Sequence, residues 1–158
     1  MAQNKPFSWY GYENAVGFPG MKADAAIDTV NSMFCEGGCN PGDLVARGTD
    51  PEKQVKKAAA SDKPLGIVVH DHKEPEGGDA VYYPEGYVLS VMTHGDIFVT
   101  AGGAVAAGDP VAYDASKGFV KGTETTPSGN VFMTAASAQG DVVKVHIQNP
   151  AAIVVTAG

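Results

Sequence analysis

The residues best equipped for chemistry lie together in His70-Asp71-His72-Lys73-Glu74-Pro75-Glu76. Two histidines at i and i+2 on a strand point to one face, where they can share a divalent metal whose shell a carboxylate completes. Glu76 is the carboxylate at hand, and His94 could supply a fourth ligand. The competing reading is a charged turn closing a strand, with both imidazoles in solvent. Short motifs match by chance often enough to favour it.

The other candidates are weaker. Cys35 and Cys39 are separated by three residues. That is neither the two-residue spacing of a redox pair nor, without a second pair, a zinc knuckle. A disulfide within the loop is geometrically feasible, but synthesis in a cytoplasm disfavours it, so the pair reads as loop or partly buried thiols. Gly37-Gly38, Gly77-Gly78 and Gly102-Gly103 lack the strand-to-helix setting and the Lys-Ser/Thr of a phosphate loop, and read as turn geometry. No serine sits in a Gly-x-Ser-x-Gly elbow. Asp71, Glu74, Glu76 and Asp79 form a charge run of the kind that is usually a solvated face. No residue is singled out as catalytic, and no cofactor or metal is expected.

The elements that would position these residues are short strands. Between Pro64 and Lys121, apolar runs (Gly66–Val69, Ala80–Tyr83, Tyr87–Val91, Asp96–Val99) alternate with Gly, Pro and Asp. β-Branched and aromatic residues fill the runs, and turn formers recur every eight to twelve residues, as in a small sandwich or barrel. Pro84-Glu85-Gly86 is a tight connection. Asp114-Ala115-Ser116-Lys117-Gly118 is a hairpin loop, in which the Asp bonds its own backbone and the Gly takes a positive φ. Further strands are expected at Leu44–Arg47, Val131–Thr134 and Asp141–Gln148. In the last, Val143, Val145 and Ile147 alternate with Lys144, His146 and Gln148. Asp24–Phe34 is ambiguous, and Cys35–Gly42 is a loop by composition. Asp50-Pro51-Glu52 reads as a helix start that can sustain one turn at most.

The 158 residues suit one domain, and 20 Gly with 10 Pro cut the chain into segments too short for long helices. The net charge of −7 comes without a basic stripe; Lys53, Lys56 and Lys57 are partly offset by Asp50 and Glu52. That balance argues against nucleic acid and anionic lipid as partners. No apolar run nears the roughly 20 residues that span a bilayer. MAQNKPFSWY lacks a secretory pattern, which points to synthesis in a cytoplasm. Residues 1–25 are broken by Gly and Pro yet carry Phe7, Trp9, Tyr10, Tyr12 and Phe18. Such rings either fold back on the domain or form an extended arm that docks on a neighbouring subunit. The apolar tail 150–158, with Ile153, Val154 and Val155, would be an aggregation hazard as a free edge, so it must pair in its own sheet or with a neighbour.

Two resemblances attach to these residues. His70-x-His72 with a later Glu resembles the first motif of the cupin barrels, which implies a metal-dependent enzyme using His70, His72, Glu76 and His94. Gly66 stands too close upstream, however, Pro75 interrupts the run, and position 89, counted from Pro84 and Gly86, is Leu where the second motif wants His. The other resemblance covers most of the chain. Leu65-Gly66-Ile67-Val68-Val69, Tyr87–Val91, Gly95-Asp96-Ile97-Phe98-Val99, Ala106-Ala107-Gly108-Asp109-Pro110-Val111-Ala112-Tyr113-Asp114 and Gly118-Phe119-Val120 resemble the capsid decoration, or cement, proteins of tailed bacteriophages. This second resemblance would put a short strand at Gln54–Lys56. It implies a non-enzymatic protein on the capsid outer surface, a homotrimer at threefold or quasi-threefold positions clamping major capsid subunits.

The expectation is therefore an all-β chain, a small antiparallel barrel or sandwich over 26–149, with an extended arm (1–25) and a strand-like tail (150–158). Phe7, Trp9, Tyr10, Tyr12, Phe18, Ile153, Val154 and Val155 are the expected interface residues. A carbohydrate-binding surface module, with Trp9 and the tyrosines as its platform, is the third reading.

Overall fold

The computed structural model describes residues 17–25, 27–71, 82–123 and 128–158. Among the described residues ten strands form: β1 (Thr29–Glu36), β2 (Leu44–Arg47), β3 (Gln54–Lys57), β4 (Pro64–Val68), β5 (Val88–Thr100), β6 (Val111–Asp114), β7 (Gly118–Lys121), β8 (Val131–Phe132), β9 (Val142–Ile147) and β10 (Val155–Thr156). The helical piece among the described residues is a 3-10 turn, Pro150–Ala152.

The first five strands run in the order β1-β3-β2-β4-β5, and β5 pairs back onto β1, closing a small barrel. All its pairings are antiparallel except β1 with β3. Beyond the barrel β5 continues into pairing with β9, which pairs with β8, while β10, β6 and β7 make a separate sheet. The period of two along each strand divides the apolar residues between two cores. Cys35, Val45, Val55, Val68, Leu89 and Val91 fill the barrel with Tyr83. Leu44, Ala46, Ile67 and Met92, on the opposite face of those strands, join Ile97, Val99, Phe119, Phe132 and Val145 in the larger core. Neighbours such as Val91 and Met92 are thus both fully buried, one in each core.

Four strands are preceded by the same turn. In Asn40–Asp43, Ala59–Asp62, Ala106–Asp109 and Ala138–Asp141 the aspartate amide donates to the carbonyl of the turn's first residue, at 3.1, 3.1, 3.1 and 3.4 Å. Its carboxylate accepts from that residue's amide, at 2.9, 3.0, 2.8 and 3.0 Å. The third position needs a positive φ, as in type II turns, which is glycine's role. Gly42, Gly108 and Gly140 supply it, and Ser61, at φ 68, is the non-glycine exception. The hairpin tip works as its sequence predicts: Asp114 Oδ1 accepts from Ser116 N, Ser116 Oγ and Lys117 N at 2.9, 2.7 and 3.1 Å, and Gly118 has φ 103.

Several local expectations change. The runs Tyr87–Val91 and Asp96–Val99, separate by pattern, belong to one 13-residue strand. A register shift in its pairing with β1 and Gly95, at φ 131, let it bend without breaking. Cys35, assigned to a loop, lies in β1; the outward residues of β1 are solvent-exposed, which masks its alternation. Asp50–Lys53 makes a single turn, and β3 follows directly, so both readings of that stretch hold in part. Val131–Thr134 contributes only two strand residues. The tail pairs within its own chain, β10 parallel to β6.

Two outcomes follow. Ser61→Gly relieves a left-handed backbone at a non-glycine and should raise stability by about 0.5 kcal/mol in urea unfolding. The second concerns acid. The hydrogen bond from the Ser116 hydroxyl, with those from backbone amides, holds the Asp114 carboxyl down at about 2. The Asp109 carboxyl is also lowered, by the hydrogen bond from the Lys121 ammonium, and the Asp141 carboxyl by that from the Ala138 amide. A depressed carboxylate stabilises the fold above its unfolded value, near pH 4, and that contribution is lost as pH falls through the folded value. The thermal midpoint should therefore fall between pH 4 and about 2, and Asp114→Ala should make the fall shallower.

Candidate interaction surface

The outer face of the barrel is covered by the second core at Met92 and left bare further along. Val30, Ser32 and Phe34 of β1 share a face, and across the strand pair they meet Met92, Ser90 and Val88. Phe34 and Val88, directly opposite each other, are 46% and 48% exposed; Val30 is 38% exposed and Ile27, just before the strand, 87%. No charged residue lies between Asp28 and Glu36 in this acidic chain. Large exposed apolar side chains set side by side, rather than scattered, mark an interaction site. Among the described residues, β1 pairs with β3 only through Phe34–Glu36, so Thr29–Met33 keeps one strand edge unpaired. Tyr82, 54% exposed, lies against Gly38.

Sequence reasoning passes over this surface because Asp24–Phe34 is neither cleanly alternating nor apolar throughout. The usable signal was the period of two in Val30, Ser32 and Phe34, set against Met33 and Cys35 on the other face.

The expected interface residues scatter. Phe7, Trp9, Tyr10 and Tyr12 lie outside the described residues. Phe18 is 43% exposed and meets the His70 ring edge-on, with centroids 4.7 Å apart. Just after it, Gly20 N donates to Phe98 O (2.8 Å) and Ala23 N to Asp96 O (3.0 Å), so this stretch is hydrogen-bonded to β5. Ile153 and Val155 are buried in the larger core of their own chain, which leaves Val154, 56% exposed, as the tail residue facing outward.

The histidine quartet does not assemble. His72 and Glu76 lie outside the described residues. Val69 N donates to Ser90 O, so His70 falls beside Leu89, and His94 lies five positions further along β5. At the strand rise that separates them by about 16 Å. His94 packs instead on His146 (centroids 5.6 Å), whose Nδ1 lies 2.5 Å from Asp96 Oδ1. No cluster of three His, Cys, Asp or Glu able to hold a metal exists among the described residues. The lysine cluster is occupied by carboxylates: Lys53, Lys56 and Lys57 face Asp50, Asp62 and Asp43 at 3.7, 3.4 and 3.5 Å.

Comparison with known proteins agrees with a surface rather than a catalytic site. A family model described as "Structural cement protein (E217 gp24/Pam3 gp6)" matches residues 6–148. No curated protein matches the chain. A chain from the capsid of Myoviridae phage XM1 shares the fold at a TM-score of 0.65 and 19% identity, covering 94% of this chain and 98% of that one. The N-terminal base of the head fibre protein gp8.5 of bacteriophage phi29 shares it at 0.55 and 14% identity, over 77% of this chain and 95% of that one. The family is a structural one, which together with the separation of His70 from His94 overturns the metal-dependent enzyme. The chain belongs to the phage structural cement protein family and is a non-enzymatic component of the virion capsid.

Proposed function

We propose that this cement protein acts as a homotrimer on the outer surface of the head, at threefold or quasi-threefold positions, where it clamps adjacent major capsid subunits. The observation that carries the reading is the bare stripe of Val30, Phe34 and Val88, with Ile27 exposed just before it. It is fixed to a closed barrel, so little conformational freedom is lost when it is covered. Residues 1–25 form the arm. Hydrogen bonds from Gly20 and Ala23 to β5 support a firm root, and Phe7, Trp9, Tyr10 and Tyr12 are its anchors. Phe18 and Val154, both exposed, are the remaining contact residues. Residues 26–149 are the decoration domain, and 150–158 is a tail fastened to it through β10. Many symmetric copies turn individually weak contacts into a strong coat.

Light scattering on the purified protein should give the mass of three chains. Added to expanded heads that lack it, the protein should bind and raise the temperature at which the heads open. Removing residues 1–16 should cut both effects. Phe34→Thr combined with Val88→Thr should leave the protein's own unfolding midpoint nearly unchanged, since both side chains are half exposed and threonine keeps strand propensity, and weaken head binding by at least about tenfold. Full binding by that variant would remove the barrel face from the interface.

A further inference from the structure

An adhesive role makes no use of the two thiols inside the barrel. Cys35, near the end of β1, and Cys39, which bridges to Tyr83, are 0% and 1% exposed. Their Sγ atoms lie 3.2 Å apart, and Cys35 Sγ is 3.6 Å from the Tyr83 carbonyl oxygen. Residues at i and i+4 of a straight strand would stand about 13 Å apart. They meet here because the chain reverses through Gly37 and Gly38, at φ 76 and 87. Nothing lies within 4 Å of the position a Gly37 side chain would take, so the loop sits at the surface while the sulfurs face inward.

We propose that Cys35 and Cys39 are a built-in clasp: reduced while the protein is made and assembled, and joined as a disulfide once the particle reaches an oxidising exterior. The proposal rests on the capsid membership and not on the trimer or on the exposed stripe. Thiols remain reduced in a cytoplasm and oxidise outside it. The oxidant is a small-molecule disulfide such as oxidised glutathione. One cysteine, deprotonated during a local opening of the Gly37–Gly38 loop, attacks it and releases one small thiol. The other cysteine then displaces the second small thiol from the mixed disulfide. Two protein S–H bonds and one small S–S bond become one protein S–S bond and two small S–H bonds, and two electrons pass to the oxidant. From the reduced position the sulfurs need close by only roughly 1 Å. Burial pushes the Cys39 thiol well above its ordinary range, so the closed barrel reacts slowly and the rate follows loop opening. The product ties the end of β1, beside Phe34, to the segment that bridges Tyr83.

The full chain, purified with reductant, is incubated with oxidised glutathione, alkylated and weighed by mass spectrometry. The expected result is joint loss of both thiols, a mass lower by two hydrogens with no retained glutathione, and a thermal midpoint raised by about 5 °C. Reductant should reverse the shift, and a Cys35→Ala, Cys39→Ala double variant should show none. Persistence of both thiols in the folded chain while the denatured chain oxidises would overturn the proposal, as would a stable glutathione adduct or a bond between chains. Should the double variant fail to fold, the thiol count of the unaltered chain decides alone.

Discussion

A carboxylate folded back on the amide three residues before it recurs where this chain must stop, reverse and begin a strand. Asp43, Asp62, Asp109 and Asp141 each close such a turn, ahead of β2, β4, β6 and β9. These strands are short, between 4 and 6 residues, and contribute few ladder bonds of their own. Their direction is set at the turn, where the aspartate pairs with the first residue while the third residue's amide docks on a neighbouring segment: Gly42 N on Val68 O, Ser61 N on Val155 O, Gly108 N on Phe132 O and Gly140 N on Ala101 O. A chain with 20 glycines and 10 prolines could otherwise leave the register of such short strands loosely specified. Negative charge is thus spent on geometry, and the acidity of the protein is partly the mark of its turns.

Much of this was legible from the residues. Glycine followed by aspartate marks three of the four turns, and the Asp114–Gly118 loop announces its hairpin. The alternation of Val143, Val145 and Ile147 gives β9 its buried face. The Ser61-Asp62 turn was hidden because serine seldom adopts a left-handed backbone, so composition gave no warning. Barrel closure was also beyond reach. It depends on β1 pairing with β5 more than fifty residues later and with β3 in parallel, and neither pairing leaves a local signature. The surface was missed for the same reason: a strand with one face in solvent looks, residue by residue, like a loop.

Resemblance and physics led to the same role by different routes. The residues carrying the likeness to cement proteins are bends and strand ends, which specify a scaffold and say little about what the scaffold touches. The face proposed for contact is what the fold leaves uncovered. Packing of the larger core hides Met92 and stops short of Val88, on the same face of β5, which is left half exposed opposite Phe34. Of the histidines that looked most chemical, His70 meets Phe18 edge-on and His94 packs on His146.

The long strand β5 has a mechanical meaning. Its first half is a stave of the barrel, and its second half carries β9 and the hydrogen bonds to Gly20 and Ala23. A load on either layer therefore passes to the other through covalent backbone, without crossing a linker. Anything gripping the barrel and anything gripping the opposite layer would be joined by a strut that resists stretching rather than a hinge that yields.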